Sequence, residues 1–75
     1  MTNKYTDEDV LHLSYEIIQL IEQNISCFND EETENVITSN ESIGFHITND
    51  NIDRAFIEAT NLKEYLIKLK NNKYK

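Results

Sequence analysis

Between Val10 and Phe28 the apolar residues recur with a helical period. Wound at about 100° per residue, Val10, Leu11, Leu13, Tyr15, Ile17, Ile18, Leu20, Ile21, Ile25, Cys27 and Phe28 fill an arc of about 240°, and His12, Glu16, Gln19, Glu22, Gln23 and Ser26 fill the rest. Thr6 and Asp9 stand at capping-box spacing, and Asp7, Glu8 and Asp9 fall in a first turn, where the helix dipole favours anions. The pattern predicts a helix over about 6–28. Its apolar arc is wider than the roughly 100° that one neighbour covers, so we expect cover on two sides, by the rest of the chain and by a second molecule.

A second periodic segment runs from about residue 50 to 72, with Asn49 or Asp50 as its cap. Ile52, Ala55, Phe56, Ala59, Leu62, Leu66, Ile67 and Leu69 share about 160° of its surface, and Arg54/Glu58 and Glu64/Lys68 are spaced i,i+4 on the other side. Ile57 and Tyr65 break the pattern by falling among the polar residues.

The stretch between these segments reads as extended chain. Val36-Ile37-Thr38-Ser39 and Ser42 to Thr48 are rich in β-branched residues, and Ile43, Phe45 and Ile47 alternate onto one face. A turn at Asn40-Glu41 joins the two halves into a hairpin at about 36–48, preceded by an acidic loop at 29–35. The expected fold is therefore α+β, a helix–β-hairpin–helix (αββα) domain. The competing reading turns Asp30 to about Asn40 into a short third helix and the fold into an all-α three-helix one.

Length and charge narrow the function. Seventy-five residues form one small domain, 1–75, that buries only about 60% of the surface its unfolded chain exposes. The 14 acidic and 7 basic residues give a net charge of −7, which sets the chain against direct contact with nucleic acid or an anionic membrane. The balance is uneven: residues 1–50 carry eleven acids and only Lys4, whereas residues 51–75 carry three acids and six bases, or −10 against +3. Apolar runs reach only three residues, so neither a secretory leader nor a bilayer span is expected. The single cysteine, Cys27, suits a reducing, cytoplasmic setting. Ten Asn and ten Ile beside one Gly and no Pro fit an AT-rich bacterial or phage genome.

Little in this chain recommends catalysis. Cys27 stands near a helix C-terminus beside Asp30, Glu31 and Glu32, both of which disfavour a thiolate. His12/Glu16 and His46/Asp50 offer two metal ligands each, short of a site. From Asp30 to Glu41 the acids at the first, third, fifth and twelfth positions imitate an EF-hand loop, but Asn35 stands where the sharp turn needs Gly. We expect neither an enzyme nor a cofactor or metal site.

Surface recognition remains. The expected partner-binding residues are Glu31, Glu32 and Glu34 in the acidic stretch and Ile57, Asn61, Tyr65 and Lys68 on the last helix, since apolar and aromatic anchors ringed by polar groups make interface hot spots. Carboxylates on a rigid frame can fill a Lys/Arg groove built for phosphates. The leading expectation is a phage-encoded inhibitor of a host nucleic-acid-handling or defence protein. In size and charge the chain resembles the small acidic anti-restriction and anti-CRISPR inhibitors. The alternatives are an antitoxin or immunity protein covering a basic toxic enzyme, and a homodimeric structural or accessory protein.

Overall fold

The computed structural model describes residues 3–73, apart from the side chains of Ile25 and Lys73. Ile25's place in the apolar arc, and Lys75 of the basic end, lie outside the described residues. Three helices follow one another: α1 (Asp7–Asn24), α2 (Asp30–Thr48) and α3 (Ile52–Lys73), with a single 3-10 turn, Ile25–Cys27, after α1. They run up, down and up in a bundle of 43 × 19 × 15 Å. The shared contacts give the directions: Tyr5 stacks on Phe56 and Glu16 pairs with Lys63, so α1 runs parallel to α3, whereas Ser42 meets Glu58 and Asn35 meets Tyr65, so α2 runs against it.

The helix–hairpin–helix expectation is overturned, and the all-α alternative gives the fold class, with a middle helix that runs past Asn40 to Thr48. No strand occurs among the described residues, and α2 covers both the acidic loop placed at 29–35 and the hairpin placed at 36–48. The reason is local and tertiary together. Asn29 and Glu32 close a reciprocal capping box: the Glu32 N–H donates to Asn29 Oδ1 at 2.8 Å and the Asn29 N–H donates to Glu32 Oε1 at 3.0 Å. From that start Val36 and Ile43, two turns apart, come to the buried face. The alternation of Ile43, Phe45 and Ile47 does not correspond to burial, because Phe45 is 65% exposed. Burial on a helical period prevails over the β preference of the branched residues.

The first and last helices keep near their expected bounds, but Asn49 and Asp50, expected to cap the last helix, instead close α2, and the first carbonyl of α3 to accept is that of Asn51, from Ala55 N–H at 3.1 Å. The Thr6–Asp9 box forms, with Thr6 N–H donating to Asp9 Oδ2 at 2.9 Å and Asp9 N–H to Thr6 Oγ1 at 3.3 Å. α2 ends in a Schellman motif: Asn51 N–H reaches His46 O at 2.8 Å and Asp50 N–H reaches Ile47 O at 3.0 Å, with Asp50 in the left-handed region at φ 58°.

The core belongs mainly to α3. Ile52, Ala55, Ala59, Leu62 and Leu66 are buried there, against Val10 and Ile17 from α1 and Val36 and Ile43 from α2. Ala55 and Ala59 are wholly buried, and their small side chains let both neighbours approach α3 closely. α1 and α2 each pack along α3 and scarcely approach one another. Charge agrees with this order. α1 and α2 each carry five acids and no Lys or Arg, and α3 carries three acids and five bases, so a net +2 helix lies between two of −5.

Candidate protein-binding surfaces

The acidic surface is built on helices rather than on a loop. Of the eleven acids in residues 1–50, all but Glu32 are exposed, and Glu32 is half-buried in the capping box. Asp30, Glu31 and Glu34 therefore stand at fixed helical spacing in the first turns of α2, and Asp30, Glu34 and Glu41 share about 40° of its surface. Four residues along a helix separate such carboxylates by about 6 Å of axis. The acids at the EF-hand-like positions are wound along this same helix and do not converge. Among the described residues no three His, Cys, Asp or Glu gather as metal ligands.

The residues expected on α3 divide. Asn61 and Tyr65 face the seam with α2, where they line an open cleft of about 500 Å³ together with Asn35, Thr38, Ser39, Ser42, Glu58 and Leu62. Asn35 Nδ2 donates to the Tyr65 hydroxyl at 3.4 Å, and the Tyr65 ring packs against the core. Ile57 and Lys68 instead lie on the exposed outer face of α3. Of the α2 acids only Glu31, one turn before Asn35 on the same face, borders the seam of Asn61 and Tyr65; Glu34 lies round the helix from it, and Ile57 and Lys68 are not part of it.

Further down the seam, Glu58 ties α3 to α2. Its Oε2 accepts from Ser42 Oγ at 2.7 Å and lies 3.1 Å from His46 Nε2, and its Oε1 is 3.9 Å from Arg54 Nε. His46, read as a strand residue, is instead half-buried in the last turn of α2 facing α3. By meeting Ser42 and His46 from α2 and Arg54 from its own helix, the Glu58 carboxylate cross-links α2 to α3. Cys27 sits half-buried in the 3-10 turn.

Two features escape a reading of the sequence. Asn24, at the end of α1, is buried and donates from Nδ2 to Leu20 O at 2.7 Å; its position in the middle of the inward arc was the available signal. The segment before α1 clasps the start of α3. Asn3 Nδ2 donates to Asp50 O at 3.1 Å, the Asp53 N–H donates to Asn3 Oδ1 at 3.4 Å, Tyr5 N–H donates to Asp53 Oδ1 at 2.8 Å, and the Tyr5 and Phe56 rings stack 3.8 Å apart. Backbone N–H groups of Lys4 and Tyr5 hold the Asp53 carboxyl below its ordinary pKa.

Set against known proteins, the chain matches no family model, no curated protein and no solved structure. No helix among the described residues is long and apolar enough to cross a membrane.

Proposed function

We propose that this protein is a small acidic inhibitor that binds a basic-surfaced, nucleic-acid-handling or defence protein. The observation that carries this reading is the display of nine exposed carboxylates over two capped helices, with Asp50 just beyond them, on a chain with one base in its first fifty residues. Side chains on helices keep their spacing, so little entropy is lost when they meet a pre-formed groove of Lys and Arg. α1 and α2 each carry −5 along about 28 Å of helix, about one charge per 6 Å, against 3.4 Å per phosphate along one nucleic-acid strand. Fields of this size also speed association with a positive surface.

Affinity capture from a bacterial lysate tests the reading, using the wild type and the Glu31→Lys/Glu34→Lys variant at about 50 and about 500 mM salt. Glu32 is left intact because its carboxylate caps α2. The reading expects a basic partner whose nucleic-acid binding falls when this protein is added, held at low salt and released by high salt or by the double reversal. Retention that ignores both salt and charge reversal would remove it.

A further inference from the structure

The expected second cover for α1 is missing in the isolated chain. α3 covers one side of the apolar arc, and Leu11, Tyr15 and Ile18 on the other side remain 51%, 58% and 49% exposed. These residues border the gap between α1 and α2. At one end of that gap Leu11 and Ile47 line the same groove, of about 400 Å³, with Val10, Ser14 and Ile52 at its base and Asp7, Glu8 and Asp50 at its mouth. Along the gap the helical register brings exposed Ile18 into line with Leu11 on α1, and on α2 exposed Ile37 stands about 80° round from Ile47, on the same side toward α1. The same register places Glu8 and Glu22 on the outer margin of the α1 strip, and Asp30, Glu34 and Glu41 on the outer margin of the α2 strip. The groove is apolar at Val10, Leu11, Ile18, Ile37, Ile47 and Ile52, interrupted by Ser14 on α1 and by Asn40 on α2, and both rims are acidic.

We infer that the α1/α2 groove is a docking site for a cationic amphipathic helix of a partner protein, whose apolar stripe enters between Leu11, Ile18, Ile37 and Ile47 and whose Lys/Arg flanks meet the rims. Charge selects this occupant over a second copy of the chain. A two-fold dimer through this face would set the −5 of α1 and α2 against the same charges. The basic helix of the chain itself, α3, has already buried its apolar face in the core. The antiparallel walls leave the place of a fourth helix in a bundle, and reading an apolar stripe between charged rims is the helix-in-groove mode of recognition. This inference deepens the proposed function and rests on it for the basic character of the partner.

The test uses an 18-residue Leu/Lys peptide patterned on a helical period, a scrambled peptide of identical composition, and the full chain labelled for NMR. Binding of the patterned peptide should move the signals of Leu11, Tyr15, Ile18, Ile37 and Ile47, and affinity should drop about tenfold for the scrambled peptide and about tenfold for Ile18→Asp. Ile18 is exposed, so this variant should keep its helical circular dichroism; Ile37→Ser gives a second reading should it not. Equal affinity for the two peptides, with shifts spread over all the acids, would overturn the groove and leave the proposed function standing. Absence of binding would overturn the groove as well. A dimer in sedimentation that Ile18→Asp dissociates would assign the face to a second copy. Captured partner that is released by high salt but held undiminished by Ile18→Asp would overturn the groove and leave the proposed function standing.

Discussion

Gly44 and Asp50 hold each other's natural places. Gly44, the chain's one glycine, lies inside α2 with a right-handed backbone, and a β-carbon built on it meets nothing within 4 Å. Asp50 occupies the left-handed C′ position that glycine fills most easily. Gly44→Ala should therefore stabilise the protein by about 0.5–1 kcal/mol through helix propensity. Asp50→Gly should add a similar amount, about 0.5–1 kcal/mol, by relieving the left-handed strain. Chemical denaturation checks both, and a loss of stability in either variant would show that the side chain or backbone makes a contact beyond these. A third residue-scale expectation concerns Asp53. Because backbone N–H groups lower its pKa in the folded chain, its contribution is complete above the ordinary carboxylate range and is lost as pH falls through the depressed value, below about pH 4. Acid should thus loosen the Tyr5–Phe56 stack, seen as a change in the Tyr5 and Phe56 ring signals. Asp53→Asn should remove that pH dependence.

At the scale of elements, α1 and α3 were legible because each carries a long helical period and, for α1, a capping box written in adjacent residues. α2 was not, because two local signals conflict. Its branched residues and the Ile43/Phe45/Ile47 alternation favour a strand, whereas Asn29 and Glu32, three apart, favour a helix start. Periodicity over so few apolar positions cannot decide between them, and what decides is the burial of Val36 and Ile43 against α3. The Asn29 box is correspondingly important. Asn29→Ala should cost about 1 kcal/mol and fray the first turn of α2, with faster amide exchange at Glu32 and Thr33, whose N–H groups donate to Asn29. If exchange there is unchanged, packing alone sets the start of the helix. The candidate surfaces divide in the same way. Exposed acids can be counted from sequence, but the groove depends on how α1 and α2 are rotated about α3, and the clasp joins residues nearly fifty apart, as in Tyr5 to Asp53. Neither is visible in any local pattern.

For the molecule as a whole, the −5, +2, −5 order of the helices sets folding and binding apart. α3 attracts both neighbours, and Lys63–Glu16 is one such pair, but the outer helices repel each other and each repels itself. The chain keeps a net −7, and compacting it concentrates that charge, so repulsion outweighs attraction in the folded state. The exposed pairs return little, since surface ion pairs contribute on the order of 0–1 kcal/mol. Salt screens these exposed charges within about a nanometre at 0.1 M. Added sodium chloride should therefore raise the melting temperature by a few degrees, about what 1 kcal/mol does in a domain of this size. The same salt should weaken partner binding, because there the carboxylates meet opposite charge. Two measurements on one sample, melting by circular dichroism and affinity for the captured partner, should move in opposite directions as salt rises. If the melting temperature falls with salt, attraction of α3 for its flanking helices holds the bundle together and the acidic surface is mainly internal compensation. If it rises while affinity falls, the carboxylates weaken the folded state when alone and are stabilised by what they bind, which is the behaviour of residues kept for recognition.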